Sequence, residues 1–122
     1  MNKELVLNRI QCNICEDIIT SRYRHDFQFC KCKKTFIDGG LDYRRIGGSD
    51  YLDSAIYTTD NLDTQVAFAE WGTYGKNGDE ELHYIKIKDM TTEHLRAVIS
   101  EQEGMNKNIR NLMFYELKKR EI

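Results

Sequence analysis

The sequence predicts an α+β protein: a cysteine-rich β section at residues 1–60, then a β-α-α section at residues 61–122 that ends in an antiparallel helix pair. Three observations carry that expectation. All four cysteines of the 122-residue chain fall between Cys12 and Cys32. Short apolar runs of period two, broken by Asp-Gly-Gly and Gly-Gly turns, fill the first section. Stripes of helical period with capping residues follow Asp89. A chain of this length supports one domain with a modest core, so the two sections are expected to form one compact unit.

The elements follow in order. ELVLNRI at 4–10 sets Leu5, Leu7 and Arg9 against Val6 and Ile10, a strand leading into Cys12. Asp17–Tyr23 and Phe27–Phe29 read as the next two strands, joined by Arg24-His25-Asp26, and Thr35–Ile37 ends at the turn Asp38-Gly39-Gly40. Leu41–Asp53 mixes aromatics, arginines and a second Gly-Gly, which predicts a loop with one brief strand. Ala55–Thr59 reads as a strand, while Asn61–Glu70 follows no clear period. Trp71–Gly78 is a strand end and turn, and Leu82–Ile87 a strand partly covered on both faces. Asp89 or Thr91 caps a helix bearing Leu95, Val98 and Ile99, which Gly104 stops. Asn106 caps a second helix, striped by Ile109, Leu112, Met113 and Leu117, with Lys118, Lys119 and Arg120 at its negative end.

Charge bounds the function classes. Lys+Arg number 18 against 20 Asp+Glu, a net charge of −2, so the chain lacks the overall basic field that drives non-specific phosphate binding. Split at residue 60, the halves hold nine basic against nine acidic residues and nine against eleven. Lys3, Glu4 and Arg9 interrupt the apolar residues of MNKELVLNRIQ, which is unlike a secretory signal, and no apolar run is long enough to span a bilayer. A soluble, intracellular protein is expected, where clustered cysteines hold metal more often than they pair.

Cys12-Asn13-Ile14-Cys15 is a C-x2-C knuckle, and Cys30-Lys31-Cys32 supplies a second pair after 14 intervening residues. Four thiolates complete a tetrahedral zinc shell and leave no position open for a reacting water. The expectation is one structural Zn2+ held by Cys12, Cys15, Cys30 and Cys32. His25 is the spare ligand, able to replace Cys30 or Cys32, although its place between Arg24 and Asp26 suits a surface or supporting role. Catalysis is not expected. Each thiol is better used as a ligand than as a nucleophile. Glu93-His94 lacks the second histidine of H-E-x-x-H, and neither Gly39-Gly40 nor Gly47-Gly48 stands in a phosphate-loop context. A nucleic-acid surface has its own candidates in Arg22, Tyr23, Arg24, Lys31, Lys33, Lys34, Tyr43, Arg44 and Arg45, interleaved with Asp26, Asp38, Asp42 and Asp50.

One pattern resembles a known group. C-x2-C-x-D-x-I-x-S-x-x-x-H-D-F-x-x-C-x-C, carried by Cys12, Cys15, Asp17, Ile19, Ser21, His25, Asp26, Phe27, Cys30 and Cys32, is followed by D-G-G-x-D-Y-R-R on Asp38–Arg45. This resembles small zinc-ribbon proteins encoded by phages of Gram-positive bacteria. W-G-T-Y-G-K-x-G from Trp71 and the stretch from Lys88 to Leu95 resemble a C-terminal module of similar phage proteins. Among such proteins are zinc-containing anti-CRISPR inhibitors of type II-A Cas9. The resemblance implies a non-enzymatic inhibitor in the host cytoplasm that binds a defence nuclease and blocks a step such as target-DNA loading. Asp60, Asp63, Glu70, Asp79, Glu80 and Glu81 are the carboxylates that would occupy an arginine-rich channel. The alternative is a zinc-ribbon nucleic-acid-binding accessory or regulatory protein.

Overall fold

The computed structural model describes residues 3–48, 50–75 and 77–121. Its order is mixed α+β, and the chain divides into two compact units, Met1–Asp60 and Asn61–Ile122.

In the first unit β1 (Leu5–Cys12) is the strand on which the others assemble. Asn8 to Gln11 pair antiparallel with β2 (Ile18–Ser21), and Ile10 to Cys12 pair on the other edge with β6 (Tyr51–Asp53). Leu5 and Leu7 pair with β7 (Ile56–Tyr57) across an irregular register. A separate sheet runs β3 (Gln28–Phe29), β4 (Thr35–Asp38) and β5 (Arg45–Gly48), all antiparallel. The stretch Leu41–Asp53 therefore holds two strands where one brief strand is expected. Tyr51, Leu52 and Asp53 are all exposed, so no alternation marks β6; pairing with β1 recruits it.

Arg44 ties these parts together. Its guanidinium donates to both carboxylate oxygens of Asp53 at 2.8 Å, to Asn8 Oδ1, to the Tyr57 hydroxyl and to the Arg9 carbonyl. The bidentate fork holds Asp53 below the usual aspartate value: the Arg44 hydrogen bonds are the largest cause, opposed by burial. Asp38-Gly39-Gly40 turns as expected, and Gly40, at φ +56°, is required because a Cβ there would strike the Tyr23 backbone.

The second unit departs from the expected β-α-α order by one element at its start. α1 (Leu62–Phe68) fills the stretch without clear period, capped by the Asn61 side chain, which accepts from Asp63 N–H. It buries only Gln65 and Val66 of its own residues, which is why no stripe announces it. A hairpin of β8 (Glu70–Thr73) and β9 (His83–Lys86) follows, and the expected strand end at Ile87 is instead a 3-10 turn over Ile87–Asp89. Lys76, in the turn motif, lies outside the described residues.

α2 (Thr92–Glu101) and α3 (Lys107–Arg120) match the helices expected, with Thr91 as the first cap and Asn106 as the second. Arg120, at the end of α3, donates to Thr92 at the start of α2, while Arg110 near the start of α3 donates to the Ile99 carbonyl. The pair is therefore antiparallel. Ile87, Met90, Leu95, Ile109, Leu112 and Met113 form the buried centre of this unit. Among the described residues no helix is long and apolar enough to cross a membrane.

Candidate metal centre

Two turns of similar construction bring the cysteines together. Cys12 ends β1; its N–H donates to Asp17 O at 2.9 Å and Glu16 N–H returns to Cys12 O at 2.9 Å. After β3, Cys30 N–H donates to Thr35 O at 3.2 Å and Lys33 N–H to Cys30 O at 2.9 Å. Each turn closes through a residue in the left-handed region, Glu16 and Lys33 both at φ 63°. A non-glycine residue there costs about 1–2 kcal/mol, and something must hold the turn. One tie between the turns is local: Lys31 N–H donates to the Asp17 carboxylate at 3.0 Å.

The ligand atoms of Cys12, Cys15, Cys30 and Cys32 all lie within 4.8 Å of one another. Bonds of about 2.3 Å to a tetrahedral ion place ligand sulfurs about 3.8 Å apart. Cys12 and Cys32 stand at 3.8 Å and Cys30 and Cys32 at 3.5 Å, against about 2.05 Å for a disulfide. All four are free thiols. Cys12 and Cys30 are buried and share their environment with Ile10, Ile19 and Ile37, with Cys15, Cys32 and Ile46 packed against that cluster. The sulfur cluster and the apolar core here are one object.

Donors face the sulfurs. Ile14 N–H donates to Cys12 Sγ and Thr35 N–H to Cys30 Sγ, both at 3.4 Å. The Cys12 thiol is lowered from its ordinary value, first by the Cys15 backbone N–H, against opposing burial, and then by that of Ile14. Burial pushes Cys30 up, but the Thr35 side chain and backbone and the neighbouring thiols outweigh it and bring Cys30 to about 5. Cys32 is pushed up to about 12, because burial and the sulfurs of Cys30, Cys15 and Cys12 overcome the favourable Lys34 N–H. Four thiols this close cannot all ionise alone; a divalent cation removes the conflict. The Thr35 hydroxyl is fully buried with no hydrogen-bond partner among the described residues, and its presence lowers both Cys12 and Cys30. The residues fit a tetrahedral thiolate-bound ion, and the cluster can hold a metal.

With the geometry in place, one comparison bears on it. Residues 4–48 match a family described as Domain of unknown function (DUF7695). The DUF7695 match spans both turns and strands β1 to β5, so all four cysteines lie inside it. No curated protein and no solved structure matches the chain.

The other sequence candidates are placed as follows. Among the described residues the metal cluster contains cysteines alone; His25 is exposed, at φ 65°, with Nδ1 2.8 Å from the Tyr43 hydroxyl. Tyr43 also donates to Asp38 Oδ2. Arg44 is spent on Asp53, so it leaves the list of phosphate-binding candidates, and nothing in the sequence separates it from its neighbour Arg45. The acidic set is not gathered: Asp63 on α1 pairs with Lys119 at 2.8 Å, Glu70 is on β8, and Asp79, Glu80 and Glu81 are exposed between β8 and β9. Asp60 belongs to the first unit, where its carboxylate accepts from Tyr57 N–H.

Proposed function

We propose that Cys12, Cys15, Cys30 and Cys32 hold one structural Zn2+ and that the protein acts by binding rather than catalysis, as a phage-encoded stoichiometric inhibitor of a bacterial defence nuclease of the Cas9 type. The observation that carries the reading is the gathering of every cysteine into one half-buried cluster. Zinc fits an all-thiolate set of four, and when bound it supplies a closed, redox-inert cross-link. The chain's own residues then do the rest: backbone N–H groups and Thr35 stabilise the thiolates, and the exposed carboxylates between β8 and β9 face a partner.

The nuclease as partner is supported by the resemblance to phage zinc-ribbon proteins. It is supported also by the exposed carboxylates of Asp79, Glu80 and Glu81, which suit an arginine-rich nucleic-acid channel. The test mixes zinc-loaded protein with a Cas9–guide complex before and after target DNA. Cleavage should be lost at near-equimolar ratio, and only when the protein is added first. Charge reversal at Asp79, Glu80 and Glu81 should weaken the block. Undiminished cleavage at tenfold excess would sink the nuclease reading, and purified protein without about one zinc per chain would sink the zinc reading.

A further inference from the structure

The outward face of the β3–β4–β5 sheet carries an uncovered aromatic cluster. Phe29 pairs with Phe36, and Phe36 with Gly47, so these three stand in a row across the strands. Phe27, two residues before Phe29, joins them: its ring lies 4.7 Å from that of Phe36 at 19° and 4.9 Å from that of Phe29 at 65°. Gly47 leaves room for this, because a Cβ there would stand inside the Phe36 ring. Phe27 is 39% and Phe29 52% exposed. The opposite face holds Thr35 and Ile37, both 0% exposed, against the sulfur cluster. The core therefore has its own residues, and the phenylalanines are surplus to it.

A cation stands over the rings, and more follow in the next turn. The Arg45 guanidinium carbon sits 5.8 Å from the Phe27 centroid and 5.9 Å from that of Phe36. The Phe29–Phe36 pair is the last before the turn that carries the exposed Lys31, Lys33 and Lys34. Residues 22–48 hold seven basic against three acidic side chains, leaving 11 against 17 in the rest. Two of those three acids, Asp26 and Asp38, are buried at 5% and 4%. Arg45 reaches Asp38 Oδ2 at 3.5 Å but keeps a 64% exposed side chain, so the exposed charge of this stretch is positive although the chain as a whole is not.

We propose that this face is a binding site for single-stranded nucleic acid, with bases stacking on Phe27 and Phe29 and phosphates held by Arg45 and the turn lysines. Stacking on exposed aromatics tolerates any base, and a basic surround follows the backbone. A duplex keeps its bases internal and cannot use the rings, so single strands are favoured. A protein partner would equally cover apolar area, but six exposed cations against the single exposed acid Asp42 in this stretch favour a polyanion. The site stands apart from the nuclease-inhibitor reading: either can fail without the other.

The test measures binding of a fluorescent 20-mer of mixed sequence, single-stranded and duplex, to the full zinc-loaded chain at 50 to 200 mM salt. The single strand should bind more tightly, with log K falling against log salt at a slope of roughly −2 to −4 for three to six phosphate contacts. Phe27→Ala and Phe29→Ala should each weaken binding roughly 5- to 150-fold. Arg45→Ala should reduce the slope by about 0.7. Zinc content and circular dichroism should be unchanged in all three, and Lys88→Ala in the second unit should bind as wild type. No binding at 50 mM salt, equal affinity for duplex, or indifference to both phenylalanine variants would overturn the proposal. Loss of nuclease inhibition in Phe29→Ala without any oligonucleotide binding would assign the face to a protein instead, and would overturn it too.

Discussion

Removing the metal should unfold the first unit and spare the second. The cluster around the sulfurs contains three buried isoleucines, Ile10 and Ile37 at 0% exposure and Ile19 at 7%. Burying one such side chain contributes about 1.5–3 kcal/mol, so the three together contribute roughly 5–9 kcal/mol. Zinc coordination coupled to folding contributes about 10–16 kcal/mol at neutral pH, which exceeds that whole apolar contribution. Chelation would also leave the left-handed turns at Glu16 and Lys33 without an ion to fix the sulfurs beside them. The second unit has its own buried set, including Ile87, Met90, Leu95, Leu112 and Met113, and no cysteine. In amide-resolved NMR of the full chain, a high-affinity chelator should collapse the dispersion of β1 to β5 while α2 and α3 keep theirs. Cys30→Ser should reproduce that spectrum without chelator, because Cys30 is 2% exposed and serine is a poor zinc ligand. Dispersed signals for Ile10, Ile19 and Ile37 in metal-free protein would refute the reasoning.

Three further outcomes are expected. Arg44→Lys loses the fork on Asp53 and the contacts to Asn8 and Tyr57, and should cost about 1–3 kcal/mol in urea unfolding followed at the first unit, despite the retained charge. Asp63 is held below the usual aspartate value, chiefly by the Lys119 hydrogen bond and then by that of Tyr115, so its contribution is full above the ordinary carboxylate pKa and is lost as pH falls through the lower folded value. Lys119 is raised by the same bond, so its contribution is lost only as pH rises through a value above the ordinary lysine; in Lys119→Met the NMR titration of Asp63 should move up. Gly47→Ala forces the Phe36 ring aside and should cost about 1–3 kcal/mol, read as a lower denaturation midpoint, with altered chemical shifts at Phe27.

What was legible in the sequence was what local chemistry decides. The cysteine spacing names both turns that gather the thiols, because two thiols brought to one point need a tight turn between them. Thr91 and Asn106 announce their helices because a cap is a single side chain answering its own backbone: Thr91 Oγ1 accepts from His94 N–H, and Asn106 Oδ1 from Asn108 and Ile109 N–H. The features that escaped depend on partners distant in sequence. β6 is exposed throughout and exists because β1 offers an open edge. Arg44 and Arg45 are adjacent and identical, yet one is 17% exposed and closes on Asp53 through a bidentate fork, while the other is 64% exposed, reaches Asp38 at 3.5 Å and stands over the rings. Summing charge to residue 60 also averaged the basic stretch 22–48 with the acids on either side of it, which hid the basic surface.

A metal held by the four cysteines would not be electrostatically independent of the basic face. Four thiolates on a divalent ion carry two net negative charges, and Lys31, Lys33 and Lys34 sit in the turn that supplies Cys30 and Cys32. Charges closer than the Debye length of about 8 Å in physiological salt are little screened, so a charged centre in the same turn would weaken the pull of those lysines on a phosphate. Of the six exposed cations of residues 22–48, three lie in that turn, and Arg45 is the one whose guanidinium stands over the rings. At about 0.7 per phosphate contact, three effective cations give a salt slope near −2 and six give about −4. A slope nearer −2 than −4, reduced by Arg45→Ala and less so by Lys31→Ala, is therefore the outcome this arrangement favours. A slope near −4 would mean that the lysines are not drawn to the thiolates and that the centre is better shielded by its own N–H donors than its charge implies.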